Sequence, residues 1–185
     1  MEEQLNSIAL LAQDQNEFKK LVIQFEKQVF NLCAYLLNNK FDAEDVTQEV
    51  FISIFQSLPQ FKGDAKLSTW IYRITINKSL DFIKAKKTKK RFAFITNLFF
   101  EDSNEVKHDK ANFNHPGVEL ENKEAVEKIF HEINQLPTNQ KTVIILSRIE
   151  QKSQAEVAEI MNLSIKAVES LYQRAKQNLS KKLNN

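Results

Sequence analysis

Trp70, Arg73, Asn77 and Lys84 fall within one narrow stripe when the segment that carries them is wound at about 100° per residue. The stripe joins an aromatic face, a guanidinium, an amide and an ammonium. Such a set can stack on an unpaired base, meet its hydrogen-bonding edge and neutralise the adjoining phosphates, with stacking worth about 1–3 kcal/mol per base. None of these groups is a nucleophile. His108, His115 and His131 stand apart from one another and from any carboxylate pair or cysteine cluster, so neither hydrolytic nor metal-assisted chemistry has a constellation, and neither an enzyme nor a cofactor is expected. The same spacing also suits Trp70 as a core residue beside a solvated lysine tail, and the helical pattern alone does not separate the two readings.

The charge around the stripe is placed rather than diffuse. From Phe61 to Arg91 ten cations face only Asp64 and Asp81, a local net of +8 in a chain whose total is +2. The net is −5 before this run, −4 from Ala93 to Ala125 and +3 from Val126 onward, which suits different partners for different segments.

The 185 residues, 42% apolar and 27% charged, allow two small globular units. With only Gly63, Gly117, Pro59, Pro116 and Pro137 as strong turn formers, the expected fold is all-α: two small helical domains joined by a flexible linker. Cys33 is alone in an apolar helical stretch, which excludes a disulfide framework and fits a cytoplasmic protein. The start MEEQLNS has no basic or apolar export pattern, and no segment reads as a membrane span.

A compact three- or four-helix unit is expected in the first domain, residues 1–91. Phe18, Leu21, Val22, Phe25, Val29, Phe30, Cys33 and Leu36 recur at three and four over Glu17 to Leu37. A second helix is expected to open on Asp42 as N-cap and to end before Pro59, with Asp45, Gln48 and Glu49 opposite its apolar face. The third follows the Phe61 to Lys66 loop, with Ser68 or Asp64 as candidate caps, and extends to about Lys84. Periodicity then fails, and residues 92–119 read as a linker. Fully extended, it could span about 90 Å, more than two turns of duplex at about 34 Å each. Phe92, Phe94, Leu98, Phe99 and Phe100 within it are too apolar to be left in water.

The last domain, residues 120–185, carries a helix-turn-helix pattern. Pro137 starts a helix through Val143, Ile144, Leu146 and Ile149. Ser153 and Glu156 form a capping box ahead of Val157, Ala158, Ile160 and Met161. Asn162 stands where the turn needs a left-handed residue, and Ser164 caps the final helix. That helix is expected to bury Ile165, Val168, Leu171 or Tyr172, Ala175 and Leu179. Lys166, Glu169, Ser170, Gln173, Arg174 and Gln177 then face outward, in a width suited to the major groove.

The segments FDAEDVTQEVFISIF, FKGDAKLSTWIYRITINKSLDFIK and LPTNQKTVIILSRIEQKSQAEVAEIMNLSIKAVESLYQRAKQNL resemble regions two and four of sigma factors of the sigma-70 family, in the compact extracytoplasmic-function (ECF) form. The resemblance implies a protein that guides core RNA polymerase to promoters and assists their melting. It implies a polymerase-docking face of Asp45, Gln48, Glu49 and Phe51, and assigns Lys66, Trp70, Tyr72, Arg73 and Asn77 to the opened strand of the minus-ten element. Lys84, Lys86, Lys87, Lys89, Lys90, Arg91 and Lys166 would meet the duplex backbone. Glu169, Ser170, Gln173, Arg174 and Lys176 would read the minus-thirty-five element, Glu169 departing from the basic residue of many relatives. Core RNA polymerase and promoter DNA, duplex and melted, are the implied partners, and the resemblance admits an anti-sigma factor. A stand-alone helix-turn-helix regulator is the alternative; it leaves the Trp70 stripe and the acidic helix without a role.

Overall fold

The computed structural model describes residues 13–99 and 123–183, and these are helical apart from short connections. Helix α1, Gln15–Leu37, opens on Asp14, whose carboxylate accepts from the Asn16 and Glu17 amides at 2.9 and 3.0 Å. It closes on Asn38, which takes the left-handed conformation at φ 53° and donates its amide back to Ala34. Helix α2, Lys40–Ser57, is capped by Asn39 rather than Asp42: the Asn39 side chain accepts from the Asp42 amide at 3.0 Å. The tight turn out of α1 places Asn39 there, so Asp42 falls inside the first turn. A 3-10 turn at Leu58–Gln60, with Pro59 in its first positions, ends this pair.

Helix α3 spans Leu67–Phe99. It begins one residue before Ser68, so Ser68 is not its cap, and the Lys66 carbonyl accepts the Trp70 amide at 3.0 Å. It does not stop near Lys84. The run AKKTKKR is made of good helix formers, and no Gly or Pro follows before Pro116, so the helix crosses Arg91 into the stretch expected to be linker. Residues 100–119 of that stretch, and the side chains of Phe92, Phe94, Leu98 and Phe99, lie outside the described part.

Helices α1 to α3 pack around Leu21, Phe25, Val29, Cys33, Val46, Val50, Ile54, Leu58 and Ile71. Leu21, Val46, Val50 and Ile54 are fully buried, and each such side chain contributes about 1.5–3 kcal/mol relative to exposure. Cys33 is the buried thiol expected; burial raises its pKa, which keeps it protonated and inert.

The second block contains α4, Lys123–Asn134; α5, Thr138–Ile144; α6, Gln154–Met161; and α7, Ile165–Leu183. Helix α5 leaves Pro137 as expected and widens into a π turn over Ile145–Ile149, after which Gln151 takes φ 52°. The capping box is present: Glu156 accepts from the Ser153 amide at 2.9 Å and hydroxyl at 2.7 Å, while the Ser153 hydroxyl accepts the Glu156 amide at 3.3 Å. The Ser153 hydroxyl above all holds the Glu156 carboxyl below its usual pKa. Asn162 is left-handed at φ 53°, and the Ser164 hydroxyl accepts the Ala167 amide at 3.2 Å. Val168 and Ala175 anchor α7, but Ile165, expected to be buried, is 52% exposed.

The two blocks are packed together. Leu32, Tyr35 and Leu36 from α1 and Tyr72 and Ile76 from α3 share a cluster with Val143, Ile145, Leu146, Val157 and Ala158. Tyr35 stacks on Phe130 with centroids 5.6 Å apart and an interplanar angle of 7°. The Lys141 ammonium enters the seam and donates to the Leu36 carbonyl at 2.8 Å, satisfying one of the last carbonyls of α1. Its burial lowers its pKa from 10.5 to about 8.

Candidate nucleic-acid interface

The polar face of α2 is open. Asp45, Gln48 and Glu49 are exposed, on the side away from Val46, Val50 and Ile54. Phe51 does not share that face. It is 9% exposed within the α1–α3 core, because its position on the helix falls beside Val50 and Ile54, so its role is to hold α2 in place. Phe41 and Ile52, 72% and 57% exposed, flank the polar residues instead. Phe41 is four residues before Asp45 and Ile52 four after Gln48, so the four share a stripe. Two apolar residues out of phase with the buried positions were the sequence signal for this.

On α3 the stripe forms, but it is only partly open. Lys66 and Asn77 are exposed. Trp70 is half-buried, its ring tilted against Phe61 at 5.0 Å across the loop. Gly63 gives that loop its φ of 76°, a conformation that side-chain-bearing residues rarely adopt. Trp70 therefore packs on the core while part of its ring stays open on the stripe.

Arg73 and Tyr72 are engaged by the second block. The Arg73 Nε donates to the Glu159 carbonyl oxygen at 3.0 Å, and its Nη2 lies 3.8 Å from the Glu159 carboxylate. Tyr72 lies off the stripe, on the side of α3 that meets the second block, and is 3% exposed. Its hydroxyl donates to Glu150 Oε2 at 2.6 Å and accepts from Gln28 Nε2 at 2.5 Å, with the Lys152 ammonium 4.8 Å from the ring centre. Burial first, and then the Glu150 hydrogen bond, push the phenol pKa far above its usual value. In this conformation Tyr72, which the resemblance assigns to the opened strand, is buried with its hydroxyl taken up by Glu150 and Gln28. Nothing in the local sequence marked Glu150 and Gln28 as neighbours of Tyr72, or Glu159 as the neighbour of Arg73.

Further along α3, Lys84, Lys87 and Lys89 are exposed, Lys84 beside Asp81 at 3.1 Å. Lys86 forms an ion pair with Asp42 and covers the Phe82 ring, so it is less available for phosphate than its neighbours. Lys90 and Arg91 continue the helix, but their side chains lie outside the described part. On α7, Lys166, Glu169, Ser170, Gln173, Arg174 and Lys176 are all exposed, while Val168 and Ala175 hold the opposite side. The Asn178 amide donates to Gln140 at 2.9 Å, fixing α7 against α5.

A cationic helix joined to a helix-turn-helix with an open recognition face defines a helical DNA-binding protein. Residues 21–89 match the family Sigma-70 region 2, and residues 127–179 match Sigma-70, region 4. The chain is 30% identical to the ECF RNA polymerase sigma factor SigW of Bacillus subtilis (strain 168), an alignment that covers 92% of this chain and 90% of the relative. It resembles the solved structure of CnrH in complex with the cytosolic domain of CnrY, with 22% identity, a TM-score of 0.65 and coverage of 96% of this chain and 94% of that one. It also resembles the sigma factor RpoE in complex with the anti-sigma factor NepR from Bartonella quintana, at 20% identity and a TM-score of 0.68, covering 91% and 97%. The chain belongs to the sigma-70 family, in its ECF group, and is a sigma factor that directs RNA polymerase to promoters. Such proteins are initiation factors rather than enzymes. The stand-alone regulator is not favoured, since the family match reaches across the first block as well. No helix of the described residues is long and apolar enough to cross a membrane.

Proposed function

We propose that the division of labour within this sigma factor follows its helices. The α2 stripe of Asp45, Gln48 and Glu49 docks on core polymerase, with Phe41 and Ile52 as apolar anchors at its ends. Exposed aromatic and aliphatic anchors beside a polar rim are the usual makeup of strong protein contacts. Lys66, Trp70, Arg73 and Asn77 hold the opened strand of the minus-ten element, joined by Tyr72 when it is released. Lys84 through Arg91 and Lys166 meet duplex phosphates, and Glu169, Ser170, Gln173, Arg174 and Lys176 read the minus-thirty-five element from α7.

Promoter opening on this reading needs no catalytic group. Binding energy for the single strand offsets the few kcal/mol of unstacking, about 1–3 kcal/mol for each stacked base. The observation that carries the assignment is the exposure of the whole α7 set opposite a buried Val168 and Ala175, together with a polar α2 face that is open among the described residues. The chain acts in the cytoplasm, where core polymerase works, and an anti-sigma factor is a further partner; both solved neighbours were captured with a bound partner, one of them an anti-sigma factor by description.

Start sites mapped with core polymerase and a promoter library test the reading. Chain-dependent initiation at a shared pair of elements is expected, and Arg174→Ala should weaken discrimination at the upstream element by about 1–3 kcal/mol. Initiation that ignores the upstream sequence would overturn the α7 assignment.

A further inference from the structure

Two residues of α7 have no task in the fold. Ile165 opens the helix and stays exposed, although a β-branched side chain is neither a strong helix former nor favourably placed in water. Glu169 is exposed too, lies beyond the first turn where the helix dipole favours an acid, and forms no ion pair among the described residues. A carboxylate on a face that meets polyanionic DNA is unfavourable unless it accepts a hydrogen bond there. Wound at about 100° per residue, Ile165 and Glu169 lie about 40° apart on one edge of the exposed face, whereas Arg174 lies about 140° from Glu169 on the other edge.

We infer that Ile165 and Glu169 form a pyrimidine-reading edge: Glu169 accepts from the N4 amino group of a cytosine in the upstream element, and Ile165 covers the methyl group of a nearby thymine. This rests on the placement of α7 in the major groove at that element. Cytosine is the base that presents a major-groove donor with no acceptor of its own beside it. A carboxylate is attracted there and repelled by the N7 of adenine and the N7 and O6 of guanine, so the selection works by exclusion as much as by contact. Thymine is the base that presents a methyl group. The four-residue offset is a rise of about 6 Å, close to two base-pair steps of about 3.4 Å each, and both residues lie toward the N-terminal end of α7, the part of a recognition helix that reaches base edges. Arg174 on the far edge suits the acceptors of guanine, so the two edges of one helix select different bases.

The test measures initiation by core polymerase with the full chain on promoters whose upstream element is randomised. The unsubstituted chain should favour cytosine at one position by about tenfold over the other bases. Glu169→Gln should cut that preference below about threefold and keep the preferences elsewhere, and Glu169→Arg should move it to guanine. Deoxyuridine in place of each thymine in turn removes the methyl group alone. At a thymine within about two base pairs of that cytosine it should lower initiation about threefold for the unsubstituted chain, and leave it unchanged for Ile165→Ala. A cytosine preference that survives Glu169→Gln overturns the inference. So does a gain in Glu169→Gln that is equal on every sequence, because it marks simple repulsion of phosphates. Deoxyuridine effects that are absent, or the same with and without the Ile165 side chain, overturn the methyl contact. Initiation by the unsubstituted chain that is insensitive to every upstream position would instead strike the placement of α7 in the groove beneath the inference.

Discussion

The centre of the first block and the seam between the blocks bury comparable kinds of helix and are built differently. In the first, Leu21, Val46, Val50 and Ile54 are sealed without a charge among them. In the second, Tyr72, Arg73 and Lys141 reach between apolar residues to Glu150, Glu159 and the Leu36 carbonyl. The difference teaches which contact lasts and which can be exchanged. Apolar burial has no counterpart in water, whereas hydrogen bonds across the seam are replaced by water or by nucleic acid at small net loss.

The largest effect should come from the sealed centre. Ile54→Ala is expected to destabilise the first block by about 2–5 kcal/mol in denaturant unfolding, and a loss below about 1 kcal/mol would mean that the two regions are not as distinct as their packing. At the seam, pH is the sharper probe. Lys141 has a pKa of about 8 when buried and an ordinary value of 10.5 once the blocks separate. The open form thus binds more protons, so closure is weakest at and below about pH 8 and strengthens as pH rises toward 10.5. In the closed form the Tyr72 hydroxyl remains protonated, because burial and Glu150 raise its pKa, whereas in the open form it ionises near its ordinary 10.0, so the strengthening levels off as pH nears 10. Energy transfer between dyes on Lys27→Cys in α1 and Gln177→Cys in α7, both exposed while Cys33 is buried, should increase from pH 7.5 to 10; a flat or falling signal would break the comparison.

Tyr72→Phe should have a smaller effect, weakening closure by about 1–2 kcal/mol and leaving the unfolding of the first block nearly unchanged. Lys86→Ala should be smallest. Its pair with Asp42 is partly exposed and is worth at most about 1 kcal/mol, readable as a slight shift in unfolding midpoint.

Local chemistry made much of this architecture legible. The Ser153–Glu156 capping box, the left-handed Asn162, the Ser164 cap and the apolar period of α1 each depend on residues a few positions apart, and each stands as the sequence indicates. The cap of α2 reads as Asp42 from the sequence, and the geometry of the turn after Asn38 gives it to Asn39 instead. The extent of α3 depended on reading AKKTKKR as helix rather than tail. Phe51 shows a different limit: a motif can name a helix as a docking element without saying which of its residues faces out. Tyr72 shows the deepest one, since Glu150 and Gln28 lie far from it in sequence and only the packing of two blocks brings them to its hydroxyl.

Permanganate reactivity of unpaired thymines in the minus-ten element, compared with binding to the closed promoter, tests the central claim most directly. With core polymerase present, Trp70→Ala is expected to reduce the permanganate signal by about tenfold, the equivalent of about 1.4 kcal/mol and within the range of one lost base stack. Closed-complex affinity should change by less than about threefold. Equal losses in both measurements would contradict the assignment of the Trp70 stripe to the opened strand.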